Sequence, residues 1–286
     1  MAEKCYRSEL IGLFGCPVDE NATVVIMEAA FKALNLNFRY NTTLVKPEDL
    51  ETAVKALKAF NMKGTHITIP HKVEVIKYLD HLTETAALMG AVNTIYLKDG
   101  ETYGENTDGK GFITSIHENG IGVKDKRIVV LGAGGAARAM TIELAGAGAA
   151  HITIVNRNRD KGEALVSLLN SKTSSRVDFV VWDTAYKVPK ETDIVVNATS
   201  VGMYPDPNKP DIDYSTLLDS MVVCDGVHNP PETPFLKEAA KRGCRTLDGF
   251  SMLVNQGAIS FKIWTGHDAP VDIMRKALAD EFKFKI

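Results

Sequence analysis

The sequence has little cysteine, no long apolar run and almost no excess of charge, and each shortage removes a class of protein. Its four cysteines, Cys5, Cys16, Cys224 and Cys244, include no CxxC pair and no zinc-ligand spacing. A disulfide scaffold and a zinc centre are excluded, which points to reduced thiols in a cytoplasm and to no metal site. No run of about 18 apolar residues occurs, so no membrane-spanning helix is expected. Met1-Ala2-Glu3-Lys4-Cys5 lacks the basic-then-apolar pattern of a signal peptide. A net charge of −3 gives no basic surface for nucleic acid or for a membrane. What is present is 286 residues, 45% hydrophobic and 24% charged, enough for one large soluble domain or two ordinary ones.

Short apolar runs alternate with helical patterns along most of the chain. Leu10 to Gly15, Phe38 to Thr42 and His66 to Ile69 read as strands, the last stopped by Pro70. Val24 to Leu36 reads as a helix, and Pro47 marks the start of another that continues through Leu57. Ala91 to Leu97 and Thr102 to Gly104 read as a hairpin around Asp99-Gly100. The second block is more regular. Strands are expected at Arg127–Leu131, His151–Val155, Val177–Val181, Asp193–Asn197 and Met221–Asp225, with helices between most of them. Near-continuous apolar strands alternating with helices indicate a parallel sheet covered on both faces. After Asp248-Gly249 the chain turns helical to its end. The expected fold is therefore α/β with two domains. Their joints fall near Asn106–Gly109 and near Asp248, and both crossings would line one cleft.

Two groups of residues carry chemistry. Gly132-Ala133-Gly134-Gly135-Ala136-Ala137 follows a strand and opens a helix. Gly132 permits the tight turn, Gly134 lets the backbone approach a pyrophosphate, and the helix start offers free N–H groups to phosphate. At the end of the next strand, enzymes that use NAD usually carry an acid for the ribose. Here the sequence is Asn156-Arg157-Asn158-Arg159-Asp160-Lys161, in which an Asn followed by basic residues suits the 2′-phosphate of NADP. Asp160 is the acid that could face a ribose instead, which keeps NAD open. The second group is Lys72, at a strand end after Pro70, and Asp108, in Gly104-Glu105-Asn106-Thr107-Asp108-Gly109. A lysine and a carboxylate at a cleft beside a nicotinamide site suit reversible alcohol oxidation, one moving a proton while the cofactor takes the hydride. Asn93 reads as a hairpin residue or a hydroxyl ligand. Gln256 reads as a ligand or a solvent-facing helix residue.

The chain resembles the shikimate dehydrogenase family, which includes the quinate/shikimate dehydrogenases, over essentially its full length. The resemblance rests on Thr68-x-Pro70-x-Lys72, Ala91-Val92-Asn93-Thr94, Asn106-Thr107-Asp108-Gly109, Gly132-Ala133-Gly134-Gly135, Asn156-Arg157, Asn197-Ala198-Thr199-Ser200-x-Gly202-Met203, Thr233-Pro234 and Asp248-Gly249-x-x-Met252-Leu253-x-x-Gln256. It implies that Lys72 and Asp108 are the catalytic pair and that Thr68, Asn93 and Gln256 hold substrate hydroxyls. It also implies that Asn156, Arg157 and Lys161 hold the adenosine phosphate. The stretch 197–203 would lie near the nicotinamide, with Thr199, Met203, Val227 and Gly249 among the cofactor residues. Residues 1–107, completed by 249–286, would bind substrate. Residues 108–248 would form a Rossmann-type NADP domain. The implied reaction interconverts shikimate and 3-dehydroshikimate.

This chain also departs from the family pattern. Asn21 and Thr23 stand where the family has a Ser-x-Ser pair that binds the substrate carboxylate, and Glu20 beside them would repel an anion. His66 stands in place of an asparagine, and His228 in place of a tyrosine. Thr23 keeps a hydroxyl and Asn21 an amide donor. Four changes in one pocket lead to the expectation that shikimate binds weakly and that a related substrate is preferred. The alternatives are an NAD-linked enzyme acting on quinate or another cyclitol, or a catalytically weak paralogue that binds nucleotide as a regulatory module. Partners are limited to small molecules, and the oligomeric state is not readable.

Overall fold

The computed structural model describes residues 6–283, so Cys5 lies outside the described residues. The chain divides into two compact units, residues 1–107 with 256–286 and residues 108–255.

The first unit is built on strands β1 (Glu9–Gly15), β2 (Phe38–Leu44), β3 (Gly64–Ile67), β4 (His81–Leu82), β5 (Thr94–Lys98) and β6 (Glu101–Glu105). With them run helices α1 (Thr23–Ala33), α2 (Leu50–Ala59) and α3 (Glu84–Met89). The sheet order is β2-β1-β3-β5-β6-β4. β1 pairs in parallel with β2 and β3, while β5 runs antiparallel to both β3 and β6. The β5–β6 hairpin turns at Asp99 and Gly100 with φ of 53° and 80°, the left-handed pair that a two-residue loop demands. Because side chains alternate along a strand, the sheet has two distinct faces. Phe14, Ile67 and Ile95 pack with Leu50, Val54 and Leu57 of α2. The opposite face carries Leu13, Tyr40, His66 and Thr94. The expected strand at His66–Ile69 begins earlier and ends at Ile67, because the chain leaves the ladder before Pro70, which has no N–H to donate.

The second unit opens with α4 (Asp108–Glu118) and continues through β7 (Arg127–Leu131), α5 (Gly135–Gly146), β8 (His151–Asn156), α6 (Arg159–Lys172) and β9 (Arg176–Val181). It then adds β10 (Ile194–Asn197), β11 (Val222–Asp225), α7 (Pro234–Lys241) and β12 (Arg245–Leu247). All six strands are parallel, in the order β12-β11-β10-β7-β8-β9. Read from the other edge, this is the doubly wound order 3-2-1-4-5-6, whose direction reverses between β7 and β10. The central strands β7 and β10 are almost wholly buried, as the apolar runs anticipated, whereas the edge strands β9 and β12 are largely not.

Helix α8 (Phe250–Thr265) begins in the second unit and ends in the first, followed by α9 (Val271–Glu281). The boundary falls within α8, at Asn255–Gln256, rather than near Asp248. The reason is packing: from Gln256 onward the helix presents Gln256, Ser260 and Trp264 to first-unit strands. Among the described residues, no helix is long and apolar enough to cross a membrane, and Cys16, Cys224 and Cys244 are free.

Candidate functional site

The first unit gathers its polar residues at one end of the sheet. The loop after β1 ends at the start of α1, where Thr23 is buried and its N–H donates to Asn21 Oδ1 at 3.0 Å. Thr68 follows β3 on the same face as His66, two residues on, and its N–H donates to the Phe14 carbonyl at 3.0 Å. Gly15 is required here, since a Cβ on it would collide with the Thr68 side chain. Lys72 comes next and is half-buried. Two backbone anchors fix its segment. The Lys72 carbonyl accepts from Val92 N at 2.7 Å, and the buried His71 ring donates Nε2–H to the Val45 carbonyl at 2.7 Å.

Val92 leads into Asn93, the centre of a buried network. Asn93 Oδ1 accepts from Thr107 N at 2.7 Å, which fixes the orientation of the amide because a backbone N–H can only donate. Its Nδ2 donates to Thr107 Oγ1 at 3.0 Å and to Gln256 Oε1 at 3.4 Å. Thr94 Oγ1 donates to Asn93 Oδ1 at 3.0 Å and lies 2.9 Å from Ser260 Oγ. Ser260 also meets Thr107 at 3.1 Å. Gln256 is 5% exposed, so the solvent-facing reading of it fails. Asp108 follows Thr107 directly, so one peptide bond, about 3.8 Å between Cα atoms, ties it to this network. Thr94, Thr107 and Ser260 were not singled out from the sequence. The available signal was spacing, since Ser260 lies one helical turn beyond Gln256 and Thr94 and Thr107 adjoin residues already chosen.

The second unit offers a dinucleotide cradle at its switch point. Gly132 ends β7 with φ of 115°, and its N–H donates to the Val155 carbonyl at 2.7 Å. A Cβ there would press on the Ala198 carbonyl at 3.0 Å and on the Thr199 methyl. Thus the loops after β7 and β10 meet at Gly132, and a side chain would part them. Gly134 and Gly135 face open space, with α5 starting behind them and its first N–H groups available to an anion. Ala137 is fully buried against the sheet. Ala133 and Ala136 complete the turn between strand and helix.

At the end of β8, Asn156 Nδ2 donates to the Asn158 carbonyl at 2.9 Å. Asn158 Oδ1 in turn caps α6 by accepting from Lys161 N at 2.9 Å. Arg157 is exposed, with its guanidinium 5.7 Å from the centre of the Trp182 ring. This stacking holds the cation at the strand end without pairing it to a carboxylate. Asp160 sits in the first turn of α6, where an acid suits the positive end of the helix.

A second buried network joins the loops after β10 and β11. Asn197 Oδ1 accepts from Thr199 Oγ1 at 2.6 Å and from Thr199 N at 3.1 Å. Its Nδ2 donates to Asp225 Oδ1 at 2.9 Å. Asp225 also accepts from Val227 N at 2.9 Å and from Thr233 Oγ1 at 2.6 Å. Burial pushes its carboxyl up to about 6, against the pull of those three donors. Met203 lies just past Gly202, whose φ of 92° turns the loop. Gly249 adjoins Val227, and a Cβ on it would meet the Val227 carbonyl at 2.5 Å. His228 is half-buried and belongs to this second unit, not to the Asn93 group. The buried Asp225–Thr233 bond was not anticipated; a polar residue closing an apolar strand was the signal for Asp225.

Comparison with known proteins agrees along most of the chain. Residues 13–95 match the shikimate dehydrogenase substrate binding domain, 115–204 match shikimate / quinate 5-dehydrogenase, and 249–279 match the shikimate 5′-dehydrogenase C-terminal domain. The NADP(+) shikimate dehydrogenase of Methanocaldococcus jannaschii is 42% identical over 277 residues, covering 96% of this chain and 98% of that protein. Among solved structures, a 5-ketofructose reductase of Gluconobacter sp. strain CHM43 superposes with a TM-score of 0.92 at 44% identity, covering 97% of this chain and all of that one. A quinate dehydrogenase of Corynebacterium glutamicum in complex with NAD gives 0.89 at 32% identity, covering 96% of this chain and 99% of that one. This chain belongs to the shikimate dehydrogenase family of NAD(P)-dependent oxidoreductases.

Proposed function

We propose that this protein is an NADP-dependent oxidoreductase that interconverts a secondary alcohol and its ketone on a polyhydroxylated small molecule, with shikimate and 3-dehydroshikimate as the reference pair. The observation that carries this reading is the Asn93–Thr107–Gln256 network. It is anchored to the Lys72 backbone through Val92 and continues in the chain to Asp108. A cluster of fixed donors and acceptors next to a half-buried lysine is suited to holding hydroxyls while one of them loses a proton.

In this reading the first unit, with the C-terminal helices, binds substrate. Asn93, Gln256 and Thr68 orient the ring hydroxyls, and Asn21 and Thr23 meet the substituent at the start of α1. Lys72 takes the hydroxyl proton as the carbonyl forms and returns it in reduction, while Asp108 supports the lysine's charge and direction. The second unit binds NADP, with the Gly132–Ala136 turn against the pyrophosphate and Asn156, Arg157 and Lys161 at the 2′-phosphate. The open cradle at Gly134 and Gly135 and the acid-free end of β8 fit that cofactor. When bound, the nicotinamide supplies the hydride acceptor or donor. Thr199, Met203, Val227 and Gly249 belong to the cofactor site of the second unit, and His228 is assigned to substrate. The protein works in the cytoplasm, where reduced NADP is available.

The test is an absorbance assay of reduced nicotinamide with shikimate, quinate, 3-dehydroshikimate and 5-ketofructose, each with NADP(H) and NAD(H). Turnover of at least one compound, faster with NADP(H), is expected. The absence of turnover with all of them would overturn the proposal in favour of a nucleotide-binding regulatory role.

A further inference from the structure

The first turn of α5 carries a cation for which the protein supplies no partner. Arg138 is half-buried, and burial pulls its guanidinium below the ordinary arginine range. Among the described residues that guanidinium has no ion pair, no hydrogen bond and no aromatic ring to stack on. The bonds of Arg138 are made by its backbone. Its N–H donates to the Gly134 carbonyl at 2.9 Å, and its carbonyl accepts from Thr141 Oγ1 at 3.1 Å. The helix has no acid in its first turn and no side-chain cap. A charge drawn partly out of water is ordinarily matched by a counter-ion. The location is unfavourable in a second way, because the start of a helix is the positive end of its dipole and suits an anion, not a cation. An anion bound at this turn would offset both.

Spacing decides which anion. Arg138 follows Gly135 by three positions and Gly134 by four, the separations that place residues side by side on one helix face. Side chains on a helix lean back toward its N-terminus, so the patch that Arg138 covers is the turn formed by these two glycines. That turn is open, since a Cβ on Gly134 or on Gly135 would meet nothing within 4 Å. The open space is therefore bordered by two kinds of donor, the first N–H groups of α5 and a guanidinium on the same face. A glycine turn between strand and helix, at the switch point of a doubly wound sheet, is where the pyrophosphate of a dinucleotide sits. The 2′-phosphate belongs at the end of the next strand, where Arg157 stands.

We propose that Arg138 is a further cofactor-binding residue, its guanidinium bonding the pyrophosphate of the dinucleotide beside the glycine turn. The inference rests on the reading of the second unit as the NADP domain. Its role differs from that given to Arg157. Pyrophosphate is common to NADP and NAD, so Arg138 supplies affinity for both cofactors and Arg157 the preference between them.

The test is titration of the whole chain with NADPH and with NADH, followed by nicotinamide fluorescence. Wild type, Arg138→Ala, Arg138→Met and Arg138→Lys are compared. Arg138→Met keeps an apolar stem and removes the charge. It should raise Kd for NADPH and NADH alike by about tenfold or more, the effect of losing one charge-assisted bond. Arg138→Lys keeps the charge without the planar fork and should lose less than Arg138→Met. Without cofactor, Arg138→Met should unfold at a urea concentration no lower than wild type, because it removes a half-buried charge that no protein group pairs. A purely structural role of the side chain would not give lost affinity with stability retained. If Arg138→Ala fails to fold, the other two variants carry the test. An unchanged Kd for both cofactors in the folded variants would overturn the inference. A loss confined to NADPH would overturn it too, by placing Arg138 at the 2′-phosphate, and so would a markedly lower urea midpoint for Arg138→Met. Wild type binding neither cofactor would overturn the reading of the second unit as well.

Discussion

Asp225 gives the most quantitative prediction. Its carboxyl is buried at the end of β11 and accepts three hydrogen bonds, yet burial and the neighbouring charge of Asp248 raise it from 3.8 to about 6. Moving a buried carboxyl by that much corresponds to about 3 kcal/mol. The sign follows from the direction. The fold favours the protonated form, so the group's contribution is fully present below its unfolded value of 3.8. That contribution is lost as pH rises through about 6, and near neutrality the fold carries the whole cost. Asp225→Asn removes the charge and keeps the geometry. An Asn oxygen can still accept from Val227 N and Asn197 Nδ2, and its amide can donate to Thr233, which then serves as acceptor while still capping α7. The assay uses the chain's two tryptophans, Trp182 and Trp264. In a Trp264→Phe background, Trp182 alone reports urea unfolding of the second unit. The stability of Asp225→Asn relative to its parent should rise from about pH 4 to pH 7, by up to about 3 kcal/mol. A difference flat across that range, or one that shrinks as pH rises, would refute the reasoning.

The other predictions concern chemistry, cofactor choice and packing. Lys72→Ala should lower kcat by roughly 10²–10⁴ with a far smaller change in substrate affinity, and a variant keeping a third of the wild-type rate would remove Lys72 from the mechanism. Arg157→Ala should weaken NADP by about 1.5–3 kcal/mol and leave NAD nearly untouched, as read by titration of each cofactor. Equal loss for both would assign Arg157 to supporting the loop through Trp182 instead. Gly64→Ala drives a Cβ into the Ile95 carbonyl and the Trp264 indole, so the first unit should lose about 1–3 kcal/mol in urea unfolding followed by Trp264 fluorescence.

Much of the fold was legible because it is written in local pattern. The strands of the second unit are continuous apolar runs, and β7 to β11 match their expected ranges to within a residue or so. The Asp99-Gly100 turn followed from the demand for two left-handed residues. What was not legible depends on context. The two-residue strand β4 and the short helix α3 carry too few residues for a period to show. Pro47 opens a helix as expected, but its first turn is a 3-10 turn, Pro47–Asp49, and α2 starts at Leu50. The second domain boundary was placed by a motif at Asp248-Gly249, whereas packing places it within α8. Asp225 escaped notice because an acid closing an apolar strand is a weak signal by itself; its burial and its three donors reveal its environment.

The substrate residues of the first unit and the cofactor residues of the second differ in what they are made of, and that difference bears on how substrate choice can change. The cofactor cradle is mostly backbone: a positive φ at Gly132, open N–H groups at the start of α5, and two loops meeting at a switch point. A side chain at Gly132 would strain the chain, which ties that position to glycine. The substrate half is a mesh of side chains from distant parts of the sequence. Asn93 meets Gln256 across 163 positions, and Thr94 meets Ser260 across 166. The fold fixes where such side chains point, but not which ones they must be. The imidazole at position 66 is held by the Tyr40 hydroxyl and packed edge-on against Trp264, while the backbone of β3 pairs with β5 whatever the side chain there. A different substrate can therefore be accommodated by exchanging side chains on one face of one sheet, while the lysine proposed for proton transfer and the nucleotide turn are left as they are.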